Sequence, residues 1–172
     1  KPDRKAKRAE MAKARAARLE PLQRAYATKD WPRTLDLLKS LSDTDTANFS
    51  TGFWNEVAWE GLTAVPADSP SRDLGLLLRC AERAVELSKR KDGAVLDTLA
   101  RAHWELGDKP KAIEVQREAV AAVEASLPTK KDEKAAATTR TSLGEMKATL
   151  ATYERDQPPT PPAAAPTTGT AP

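Results

Sequence analysis

A chain of 172 residues is long enough to bury one continuous core, and its formal charge of +3 gives no strongly one-sided field. One cysteine and one histidine allow no Cys-x-x-Cys pair and no internal disulfide and leave little for catalysis or metal binding, and no apolar run reaches the roughly 18 residues of a membrane span. No Gly-rich phosphate loop, Gly-x-Ser-x-Gly or His-Glu-x-x-His occurs, so the expectation is a non-enzymatic chain without cofactor or metal.

Residues 1–28 read as a basic helix. Nine Lys or Arg stand against three acids in residues 1–24, a net of +6, so the remainder carries −3. Such a helix could contact nucleic acid or an anionic membrane. Residues 1–24 have no aromatic residue for base stacking and no recognition motif, so a solvated helix leading out of a preceding region is the plainer reading. A helix over about 3–26 is expected, kinked or restarted at Pro21. No signal peptide is present, and a start at Lys1 rather than Met suits a mature form or a piece of something longer.

Residues 29–127 hold the helical pattern. Asp30-Trp31-Pro32 opens one helix, with Asp as cap and Pro in the first turn. Asn55-Glu56-Val57-Ala58-Trp59 reads as the next helix, and 76–87 as another, separated by a Pro-bounded loop at 65–70. Val95, Leu96, Leu99, Ala100, Ala102, His103 and Leu106 recur at spacings of three and four. Gly107 then supplies a left-handed residue that ends the helix, Asp108 caps its successor and Pro110 falls in the first turn. Ala112, Ile113, Val115, Gln116, Ala119, Val120 and Val123 form the inner side of that helix. Within 128–156, a helix over 132–155 carries Ala136, Leu143, Met146, Leu150 and Tyr153 as one stripe, with a polar opposite face. The tail 157–172 is Pro, Ala, Thr and Gly, a composition expected to be disordered.

The pair Leu99-Ala100, Gly107, Ala112 and Ala119 resembles the tetratricopeptide repeat, whose unit of about 34 residues places small residues at these points. His103, Leu96 and Gln116 replace its usual aromatics, and the terminal Pro is absent at Glu124. Pro32 and Pro110 lie 78 residues apart, ten more than two such repeats of about 34. The surplus divides as seven in the 65–70 loop, two before Ala58 and one before Ala100. In that register Thr34, Leu38 and Leu41 align with Ala112, Gln116 and Ala119. The expected fold is all-α: a short superhelix of three hairpins and a C-terminal capping helix, seven helices in all. Residues 50–125 are also similar to helical regions that follow thioredoxin-like domains in exported bacterial thiol-redox proteins, or are attached to bacterial Ser/Thr kinases. That similarity implies an accessory module, on the periplasmic side, with neither catalytic activity.

The family's first helices line a concave groove, and the resemblance therefore nominates a peptide- or protein-binding face. Its residues are Asn55, Trp59 and Leu62 in the middle repeat, and Asp97, Arg101, Trp104 and Glu105 in the third. Trp and Arg are the usual anchors of interfaces. The same residues could instead hydrogen-bond between helices (Asn55, Asp97) or fill the repeat junction (Trp59, Trp104). The two-Lys, two-Asn clamp for C-terminal carboxylates is not recognisable. Cys80 reads as a small buried hydrophobe rather than a reactive thiol, and His103 as a packing residue rather than a catalytic one.

Overall fold

The computed structural model describes residues 3–127 and 132–156, and among these it is all-α, with eight helices and no strand. In chain order they are α1 (Arg4–Ala27), α2 (Trp31–Lys39), α3 (Asp43–Thr46), α4 (Thr51–Thr63), α5 (Leu74–Ser88), α6 (Gly93–Glu105), α7 (Lys109–Ser126) and α8 (Glu133–Arg155). α2 folds back on α1, α5 on α4 and α7 on α6, while α8 closes on α7. α2 also meets α4, and α6 meets both α4 and α5, so each hairpin rests on the next around one core. The expected tail at 157–172 and the loop at 128–131 lie outside the described residues.

The turn after α6 forms as its residues require. Gly107 has φ +83°, its N–H donates to the Trp104 carbonyl at 3.0 Å, and the Asp108 N–H donates to that of His103 at 2.9 Å. The Asp108 carboxylate then accepts from the Lys111 N–H at 3.3 Å, capping α7. The turn after α1 repeats this geometry. Lys29 has φ +59°, its N–H donates to Tyr26, the Asp30 N–H donates to Ala25, and Asp30 caps α2 through the Arg33 N–H. Lys29 accepts a backbone that suits Gly because its ammonium lies 5.3 and 5.1 Å from the Tyr26 and Trp31 ring centroids and pairs with Glu56 of α4. The two Asp-x-Pro segments are one turn used twice.

Three expectations need correction. α1 continues through Pro21 without a break. Pro21 cannot donate to the Ala17 carbonyl, but Ala17 is exposed, so that loss is not a buried one. α2 stops at Lys39, so Leu41 belongs to a loop rather than to a long second helix. The four-residue α3 follows, held by a reciprocal capping box between Ser42 and Asp45, and it raises the count to eight. Leu106 is 43% exposed instead of buried, because it caps α6 where the chain turns away. The inner side of α7 is buried at all seven expected positions, and on α8 Ala136, Leu143, Met146 and Tyr153 are buried with Leu150 partly so.

α6 and α7 approach closely where Gly93 begins α6. A Cβ there would lie 2.3 Å from Val123 Cγ2 and 2.8 Å from the Ala119 carbonyl oxygen, which is backbone and cannot swing aside. Gly93→Ala is therefore expected to destabilise the fold by about 1–3 kcal/mol. Gly144→Ala on α8, where a Cβ meets open space, should instead stabilise by up to about 1 kcal/mol. Denaturant unfolding of the two variants checks this opposition; equal shifts would contradict it.

Candidate binding face on α4, α6 and α8

The nominated residues sit on the first helix of each hairpin, and they have different surroundings. Asp97 is half-buried on α6, where its Oδ1 accepts a hydrogen bond from Gln116 Nε2 of α7 at 2.6 Å. The same Nε2 lies 3.3 Å from the Met146 carbonyl of α8, so a fully buried Gln116 joins three helices. Burial pushes the Asp97 carboxyl above its ordinary range, and the Gln116 donor partly opposes this. Asp97 thus serves the helix junction. Asn55 holds the equivalent place on α4, and its buried Oδ1 has no donor among the described residues. In the repeat register the Gln116 position of that hairpin is Ala81, which has no side-chain donor to offer.

Trp104 is half-buried and stacks on Tyr153 of α8, with ring centroids 4.0 Å apart and planes 7° from parallel. The Lys109 ammonium lies 4.8 Å from the Trp104 ring centroid. Tyr26 of α1 meets Phe53 of α4 at 4.9 Å with the ring planes tilted by 43°. Leu62 is buried in the core. Trp59, by contrast, is 38% exposed. Its register equivalent on α6 is Arg101, whose Nε donates to Glu105 Oε1 at 2.8 Å. The other oxygen of Glu105 lies 3.3 Å from Nη2 of Arg72, which also donates to the Leu62 carbonyl at 3.0 Å. Two guanidiniums therefore share one carboxylate.

Arg101, Trp104 and Glu105 of α6 and Thr149, Thr152 and Tyr153 of α8 line an open groove of about 410 Å³. The geometry brings Arg101, Trp104 and Glu105 together and adds Tyr153 and Arg72. Tyr153 was legible only as part of the α8 stripe. Arg72 had no signal, because a loop arginine declares its burial only through the carbonyl and carboxylate that the fold carries to it. Its side chain is 8% exposed.

Cys80 is buried, and burial pushes its thiol up to about 12, which leaves no thiolate near neutrality. His103 is partly buried; burial lowers its pKa, against the pull of Asp108, whose Oδ2 lies 3.7 Å from Nδ1. Among the described residues no group of three or more His, Cys, Asp and Glu is arranged to hold a metal ion, and no helix is long and apolar enough to cross a membrane.

The basic helix divides in two. Up to Arg18, α1 is exposed except for a partly buried Arg15. Arg15 donates to the Asp45 carbonyl at 2.6 Å, and Arg18 to the Asp45 carboxylate at 2.7 Å, so α3 is the anchor of this part of α1. The Arg18 bond, helped by the Ser42 hydroxyl, lowers the Asp45 pKa to about 2. A carboxylate with a depressed folded-state pKa contributes stability that is complete above its unfolded value of about 4 and is lost as pH falls through the folded value. The α1–α3 junction should therefore weaken between about pH 4 and pH 2. Unfolding measured across that range should lose part of its pH dependence in Asp45→Asn, and parallel curves for the two proteins would contradict the assignment.

Scans against protein-family models, curated proteins and solved structures find no match for this chain.

Proposed function

We propose that this chain is a non-enzymatic binding module, a short tetratricopeptide-like array that holds a peptide segment of a partner protein across α4, α6 and α8. The observation that carries this reading is the open α6–α8 groove, where stacked aromatic rings flank the Arg101–Glu105 ion pair. Exposed Trp59 extends the same row onto α4. An aromatic or aliphatic side chain would seat beside Trp59, and a carboxylate would replace water on Arg101. The test is to select peptides on the full chain from a random display library and to measure their affinity for Trp59→Ala/Arg101→Ala.

A second reading has support from α1. Its first four turns are exposed apart from Arg15 and are tied to α3 through Arg15 and Arg18, as in a helix that bridges domains. On that reading the array is an accessory region packing on a larger protein, the thiol-redox and kinase assemblies of its resemblance included. Peptides selected on the array would then show no preference for the α4–α6–α8 row.

A further inference from the structure

A second cavity, of about 450 Å³, lies between the ends of α2 and α3, Trp54 of α4 and α5, and shares no lining residue with the α6–α8 groove. Leu38, Leu76, Cys80 and Trp54 give it an apolar floor, and all four are buried. Lys39, Arg79 and Arg83 stand on its walls against a single carboxylate, Asp43. Lys39 is 3.6 Å from Asp36 and Arg83 pairs with Glu86, but Arg79 has no carboxylate within salt-bridge distance among the described residues. The groove at Arg101 is lined by one cation and one anion, whereas this cavity is lined by three cations and one anion. The buried indole N–H of Trp54 also has no acceptor among the described residues.

We infer that this cavity binds a small organic anion with an apolar body, of the carboxylate or sulfonate class. Its volume falls in the range of small-molecule sites, which combine an apolar lining with a few charged groups that fix orientation. The apolar body lies on Leu38, Leu76 and Trp54, and the anionic head meets the unpaired guanidinium of Arg79 with Lys39 and Arg83 at its sides. A charge-assisted hydrogen bond to a planar guanidinium supplies the orientation.

The probe is 8-anilinonaphthalene-1-sulfonate, with its fluorescence titrated against the full chain. Saturable binding at one site is expected, displaced by decanoate and not by the uncharged 1-decanol. Arg79→Ala should weaken the probe by about tenfold, the worth of one charged hydrogen bond, and Arg79→Lys should restore part of the affinity. Arg101→Ala should leave it unchanged, which separates this cavity from the peptide groove. Absence of saturable binding, equal displacement by decanol, or an unaltered Arg79→Ala would each overturn the inference.

Discussion

Leu77→Ala is expected to cost about 3 kcal/mol, a large fraction of the stability of a domain this size. Leu77 is 0% exposed and lies where α5 packs on α4, so its removal leaves a cavity that rigid helices cannot collapse to fill. The closest approach there is to Gly61 of α4. A Cβ added at Gly61 would lie 2.2 Å from Leu77 Cδ2 and 3.3 Å from both Cδ1 and Cγ, all atoms of one side chain. Gly61→Ala alone should therefore destabilise by about 1–3 kcal/mol, since a leucine in a closed site has no free rotamer to adopt. In the Leu77→Ala background the same methyl enters vacated space and brings the helix-forming advantage of Ala over Gly. The double variant should be at least as stable as Leu77→Ala, a coupling of about 1 kcal/mol or more. Denaturant unfolding of the four proteins measures it, and additive effects would contradict the packing described.

Much of this fold was legible in the sequence because its decisive signals are local. Gly107, Asp108 and Pro110 specify a helix end, a cap and a first turn within four positions, and the matching Asp30 and Pro32 specify them again. The stripe from Ala112 to Val123 obeys the helical period because both of its neighbours, α6 and α8, are apolar where they meet it. α3 was not legible. Its Asp-Thr-Asp-Thr run has no apolar period, and it exists because the Ser42–Asp45 box and two arginines from α1 fix it. The end of α2 was missed for a related reason: Leu41 continues the apolar spacing but is spent on the loop that follows.

The candidate site was legible in part. The spacing of Trp59, Arg101 and Trp104 placed all three on first helices, while their separation into exposed and packed residues depended on partners far along the chain. Gln116 takes Asp97, Tyr153 takes Trp104, and Arg72 shares Glu105. None of these partners can be paired from the sequence, because each contact crosses at least 19 residues.

The remaining large effect is on binding. Trp59 and Arg101 occupy equivalent positions on adjoining first helices, and neither is used to hold the core together: Trp59 is 38% exposed, and the Arg101 side chain 40%. Their removal should leave the fold intact while deleting an aromatic anchor and a charged one from the same face. Truncation of an anchor residue costs about 2 kcal/mol or more, so the double alanine variant should bind display-selected peptides at least roughly thirtyfold more weakly. Arg79→Ala, in the other cavity, supplies the control for nonspecific charge effects. The most direct measurement is therefore the calorimetric Kd of one selected peptide for the wild type, Trp59→Ala/Arg101→Ala and Arg79→Ala, with thermal unfolding recorded for each. The account predicts the thirtyfold loss in the first variant alone, at unchanged unfolding temperature. Equal affinity for all three proteins would contradict a binding face on α4, α6 and α8.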